Sequence, residues 1–262
     1  MRLQQWFDIK QGKLSKSSHK GLKSILSGIF ERAIAWKLYP DDRNPVHQVK
    51  IWGDSDAREK RKLTDEQTRQ FLAELPYDVR LLSSTCLFCG LRISEALALQ
   101  EEHFDFERGL ILIRQSYYRG VLKPRPKSDK GHRDLPMGYL KDDLRRMCMG
   151  DPKRFVFKIQ TAPKWGREGS LCRDDRDLNQ HFLRPAAKKL RIYYPGFGFR
   201  ALRREAITQI GSVAGLGEAA NAAGHTHVDT TLIYTLDNLG PREEAIKAFQ
   251  ERILGKPEGG VQ

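Results

Sequence analysis

No apolar run in this 262-residue chain approaches the roughly 18 residues that a membrane-spanning helix requires. The opening residues, Met1-Arg2-Leu3-Gln4-Gln5-Trp6, hold no apolar segment of the kind that heads a secreted protein, so a cytoplasmic location is expected. Cysteine is scarce. Of four, Cys86 and Cys89 form a lone C-x-x-C inside the apolar run LLSSTCLFCG, and with no second pair they read as small buried hydrophobes rather than as a zinc or redox motif. His225 and His227 lack a third ligand at a fitting spacing, so neither metal nor cofactor is expected. Internal repeats are absent, and convincing strand patterns are confined to one stretch.

Negative charge is missing where positive charge is densest. Against 46 Lys and Arg the chain has 33 Asp and Glu, a formal net charge of +13. Leu178 to Arg204 carries seven basic residues and no acidic one, and Tyr117 to Arg133 carries six against Asp129 alone. The last 29 residues, Tyr234 to Gln262, are close to neutral. Positive charge clustered in this way is the electrostatic footprint of a polyanion partner, most often nucleic acid.

The length accommodates a small domain and a larger one. Residues 17 to 38 repeat Leu22, Ile25, Leu26, Ile29, Phe30, Ala33 and Ile34 at three- and four-residue spacing behind Ser17 and Ser18, which predicts a capped amphipathic helix. Asn44-Pro45 stops the chain after it. Residues 1–51 are therefore expected to form a small helical domain, 52–62 a charged linker, and 63–262 the main domain. Thr64-Asp65-Glu66-Gln67 is a capping box that starts a helix reaching about Leu75. A second apolar helix covers about 79–89, and LRISEALAL follows with Arg92 in its first turn. Residues 109–114, 117–123 and 132–136 predict a small antiparallel sheet or hairpin. Helices are expected again at about 138–148, 174–190, 200–212, 216–223, 227–235 and 241–254, with loop from Phe157 to Ser170. The fold class is mainly α with a small antiparallel β-sheet.

Five segments taken in order carry the functional signal: G-L-R-I-S-E-A-L at 90–97, P-K-S at 126–128, R-A-L-R-R at 200–204, A-G-H at 223–225 and T-T-L-I-Y at 230–234. Their joint order, with nine residues from His225 to Tyr234, resembles the catalytic domain of the tyrosine recombinases, or phage integrases, over about 200 residues from Leu63 to the end. The resemblance implies the following roles. Arg92 and Arg203 match the two catalytic arginines, Lys127 the lysine of the β-hairpin, His225 the histidine that follows glycine, and Tyr234 the nucleophile. Residues 1–51 resemble the last part of the family's core-binding domain.

The chemistry explains these residue types. Without a metal, charge building on the non-bridging oxygens of a phosphodiester is met by planar guanidinium groups, which bind them bidentately. A tyrosine with an ordinary pKa of about 10 needs nearby positive charge to attack. The attack would give a 3′-phosphotyrosine and a 5′-hydroxyl, whose proton Lys127 supplies in the family's scheme. The resemblance thus implies site-specific DNA strand cleavage and rejoining without metal or ATP. It also implies a mobile element, a tetramer working on double-stranded DNA with specific recombination sites, and association with the nucleoid. Lys123, Arg125, Lys130, Arg133 and Arg204 are the expected DNA-binding residues around the site.

The sequence departs from the pattern at two places. Arg200 stands where a histidine is usual, and Arg204 where a second histidine is common. Arginine holds a phosphate but is a poor general base, which bears on proton handling at this step; Arg200 is assigned to the catalytic set. The alternatives are a catalytically impaired DNA-binding regulator and strand relaxation of the type IB topoisomerase kind.

Overall fold

In the computed structural model, residues 3–10, 13–52, 61–118, 121–124, 132–157 and 175–224 are described. The chain divides into two compact units, Met1–Glu59 and Lys60–Gln262.

The first unit is built on α1 (Leu3–Lys10) and α2 (Lys16–Ala35). The cap of α2 is Ser15, earlier than Ser17 and Ser18: its backbone is extended and its hydroxyl accepts the Ser18 N–H, so both later serines fall inside the first turn. Asn44 turns the chain back by donating to the Ser27 carbonyl while its own oxygen accepts the Val46 N–H. Lys23 Nζ then reaches the Val49 carbonyl at 2.6 Å, and Gln4 exchanges two hydrogen bonds with the Lys50 backbone. Phe7, Val46 and Val49 are buried. The α2 stripe is only partly covered, since Ile25 and Ile29 are 63% and 56% exposed.

The second unit has one main core. It begins at α3 (Asp65–Ala73), where Thr64 Oγ1 accepts the Gln67 N–H and Gln67 Oε1 accepts the Thr64 N–H, the reciprocal box expected from the sequence. The next helix, α4 (Tyr77–Phe88), buries an unbroken run from Leu81 to Leu87. A helix buried on nearly all sides must be surrounded by other elements. One single-turn helix, α5 (Ile93–Ala96), follows the left-handed Gly90.

Strands β1 (Phe104–Asp105), β2 (Leu110–Ile113) and β5 (Arg133–Pro136) form an antiparallel sheet in the order β1-β2-β5, with Ile113 opposite Arg133. The pair β3 (Ser116–Tyr118) and β4 (Val121–Lys123) is a separate hairpin. The next described helix after α6 (Lys141–Met147) is α7 (Asp175–Leu178), which passes through a π-helical turn at Asn179–Leu183 and enters α8 (Arg184–Lys189). The π turn is followed by Arg184 and then Pro185, which has no N–H to donate to the preceding turn. Last come α9 (Phe199–Ala214), packed against α4, and α10 (Leu216–Ala223), packed against α9. The mainly helical class with a small antiparallel sheet is the one expected.

Candidate functional site

The arginines singled out from the sequence converge on a carboxylate that was not. Glu95, in α5, is only 3% exposed, and its Oε2 accepts the Arg92 backbone N–H at 2.9 Å, closing the first turn of the helix. Its Oε1 lies 2.7 Å from Arg92 Nη1. Arg133 at the start of β5 approaches with Nη2 2.8 Å from Oε2 and Nη1 3.3 Å from Oε1. Arg203 of α9 adds Nη1 at 3.8 Å from Oε2. Elements far apart in sequence are thus joined at one buried charge.

The balance of that cluster is positive, with three guanidinium groups around one carboxylate. Burial pushes the Glu95 carboxyl up, but the hydrogen bonds and charge of Arg133, with the charges of Arg92 and Arg203, outweigh burial and hold it down at about 2. Glu95 is therefore ionised wherever the protein works. Excess positive charge close to low-dielectric surroundings is suited to a phosphate.

Arg92 and Arg203 sit differently in the cluster. The Arg92 side chain is 41% exposed, so its guanidinium meets solvent on one side and Glu95 on the other. Arg203 is 5% exposed, and its Nη1 and Nη2 donate at 2.5 Å to the carbonyls of Gly90 and Ala223. It thereby fixes the turn before Arg92 and the last residue of α10. Gly224 caps that helix in the left-handed conformation, and His225 is the next residue in the sequence.

Arg133, expected from the sequence as a DNA contact, is turned inward: its side chain is 8% exposed and its Nε donates to the Ala222 carbonyl at 2.7 Å. Arg204 donates through Nη2 to the Tyr194 hydroxyl at 2.8 Å, and that hydroxyl in turn donates to the Arg61 carbonyl. Arg200 and Lys123 are exposed, on α9 and β4. Arg125, Lys127, Lys130, His225 and Tyr234 lie outside the described residues. The expected loop from Phe157 to Ser170 and the expected helices at 227–235 and 241–254 also fall outside them, the first except for Phe157 itself.

Glu95 was legible in one respect. A carboxylate three residues after Arg92, flanked by apolar residues in LRISEALAL, is a charge in a buried stretch and must be paired. Which partners it has depends on tertiary folding, so Arg133 was not foreseeable as one.

No group of His, Cys, Asp and Glu among the described residues is arranged to hold a metal ion, and no described helix is long and apolar enough to cross a membrane. Neither a protein-family model nor a curated protein matches the sequence. Solved structures do. The Tn1549 transposon integrase in complex with a circular intermediate DNA matches with a TM-score of 0.72 at 20% identity, over 94% of this chain and 84% of that one. The XerH site-specific recombinase bound to its palindromic difH substrate gives 0.65 at 21% identity over 94% and 69%. A lambda integrase dimer bound to a core site gives 0.60 at 18% identity over 97% and 64%. The fold is that of the tyrosine recombinase catalytic domain.

Proposed function

We propose that the chain is a site-specific DNA recombinase or integrase of the tyrosine type, which cleaves and rejoins DNA through a 3′-phosphotyrosyl intermediate. The observation that carries this reading is the meeting of Arg92 and Arg203 on one buried carboxylate. It occurs in a fold shared with integrases and recombinases solved on DNA. In this reading Arg92 and Arg203 neutralise the scissile phosphate, with Arg200 and His225 beside them. The Tyr234 hydroxyl attacks phosphorus, the bond to the 5′ oxygen breaks, and Lys127 delivers a proton to that oxygen. The tyrosyl proton passes to the surrounding bases or water. Reversal by a 5′-hydroxyl from another strand reseals the backbone, so atoms balance without ATP and no metal is called for.

Residues 1–51 help to clasp the DNA, and exposed Lys123, with Arg125 and Lys130, contacts the duplex beside the site. Four copies act on two duplexes, moving an element between DNA sites inside the cell.

A nicked suicide duplex, from which the short downstream fragment bearing the new 5′-hydroxyl diffuses away, tests the proposal. The expected product is a denaturation-resistant protein–DNA adduct that Tyr234→Phe abolishes. Arg200 in the usual histidine position favours a second reading, a regulator that binds without cutting. Tight, salt-sensitive binding to its own site with no adduct would establish that reading instead.

A further inference from the structure

Arg133 has the wrong geometry for a DNA contact and the right one for a strut. It sits at the first residue of β5, six residues after Lys127 in the sequence. Its backbone is paired with Ile113, and its carbonyl accepts from Arg114 Nη1 at 3.2 Å. The guanidinium then spans two other elements, taking both Glu95 oxygens and the Ala222 carbonyl. Arg203 grips the very next carbonyl, Ala223. These carbonyls belong to the last turn of α10, whose acceptors have no partner within the helix. Two arginines that share one carboxylate therefore fix the end of the helix from which the chain passes through Gly224 to His225.

We propose that Arg133 is a positioning residue for strand cleavage: one rigid fork sets the start of the strand after the Lys127 segment, the Glu95 anchor of Arg92 and Arg203, and the end of α10 before His225. It touches no phosphate. The inference rests on the recombinase reading and deepens it. A fork is required because an ammonium is a point charge and cannot hold a carboxylate and a carbonyl in fixed directions at once.

The test is single-turnover cleavage of a nicked duplex drawn from the DNA flanking the protein's own coding region, alongside binding across a salt series. For Arg133→Met the expected result is an unchanged salt slope and a cleavage rate reduced about 100-fold, the scale of a misplaced reacting group. Combined with His225→Ala, the loss should be markedly less than the sum of the two single losses, because both act on the same placement. A variant that merely loses stability would give additive losses. Arg133→Lys, which keeps the charge and loses the fork, should also cleave slowly, and it decides the matter if Arg133→Met does not fold. Wild-type cleavage in either folded variant overturns the inference alone, as does strict additivity with His225→Ala. A salt slope lowered by about one would make Arg133 a phosphate contact and overturn it too. If wild type never forms the adduct, the recombinase reading fails and the inference falls with it.

Discussion

Arg203 is fastened to Gly90, with Nη1 2.5 Å from the carbonyl oxygen. Gly90 turns the chain at φ 65° between α4 and the segment that holds Arg92. Cooperation between the two arginines is thus built into the fold itself: the position of Arg92 depends on a backbone atom that Arg203 holds. Each plays a different part, because one is buried by these carbonyls and the other opens to solvent.

That difference should separate their substitutions. Arg203→Ala should lower both stability and cleavage, since it leaves the Gly90 and Ala223 carbonyls buried without a donor. Arg92→Ala should leave the melting temperature nearly unchanged while cleavage falls about 100- to 1000-fold, the usual cost of one preorganised donor to a developing charge. Thermal melts and adduct formation on the same preparations check this. Equal melting losses in the two variants would contradict the assignment.

Removing Glu95 should do more harm than removing a surface charge. Glu95→Gln leaves the Arg133 and Arg203 side chains, 8% and 7% exposed, without their counterion. Breaking a buried pair from one side typically costs about 3–5 kcal/mol, against about 0–1 kcal/mol for an exposed pair. Urea unfolding measures it. A loss below about 1 kcal/mol would show that water reaches the cluster and screens it.

The same carboxylate sets an acid limb. The Glu95 carboxyl is held at about 2 in the folded chain against an ordinary value of 4.5, so as pH falls below about 4.5 the unfolded chain takes up the proton first. The stabilisation is complete above that point and drains away as pH falls towards about 2. Glu101 adds to the same limb: burial raises its carboxyl, but the N–H groups of Met149 and Gly150 and the charge of Arg154 bring it below its ordinary value. Urea midpoints measured from about pH 6 down to about pH 2.5 should show the limb, and Glu95→Gln should flatten it.

Local signals in the sequence were mostly readable, and the tertiary use of charge was not. The Thr64–Gln67 box, the apolar α4 and the helix expected at 216–223 each rest on chemistry within a few residues, and each is found in the fold. The cap of α2 slipped from Ser17 and Ser18 to Ser15 because several serines compete there and backbone direction chooses among them. Arg133 shows the limit. Six basic residues between Tyr117 and Arg133 look alike as a charge run, yet at least this one points inward, because strand pairing with β2 faces it towards Glu95.

Cys86 and Cys89 should be inert to thiol reagents in the folded protein. Burial pushes the Cys86 thiol far above its ordinary range and Cys89 up to about 12, and the thiolate is the reactive form. The Cys89 thiol also faces the Pro136 carbonyl. Iodoacetamide at neutral pH followed by peptide mapping should find both unmodified until denaturant is added. Rapid alkylation of either under native conditions would mean that α4 opens readily.

The start of α9 depends on Gly198. Its φ of 152° with ψ of −165° is a region that residues with a side chain rarely occupy, and the helix it begins carries Arg200 and Arg203. A Cβ at this position would run into the side-chain oxygen of Asn179, an atom buried without a hydrogen-bond partner among the described residues. Gly198→Ala therefore meets two separate penalties, backbone strain of about 1–3 kcal/mol and a collision. Relieving the collision with Asn179→Ala should recover part of the loss in the double variant and leave the strain. Because Gly198 sets where α9 begins, the single variant should also slow cleavage by displacing Arg203 from Gly90 and Glu95. Urea unfolding of both single variants and the double variant, with adduct formation beside it, provides the check. A Gly198→Ala protein as stable and as fast as wild type would show that α9 starts equally well from ordinary backbone and that the Arg203 anchor does not depend on this glycine.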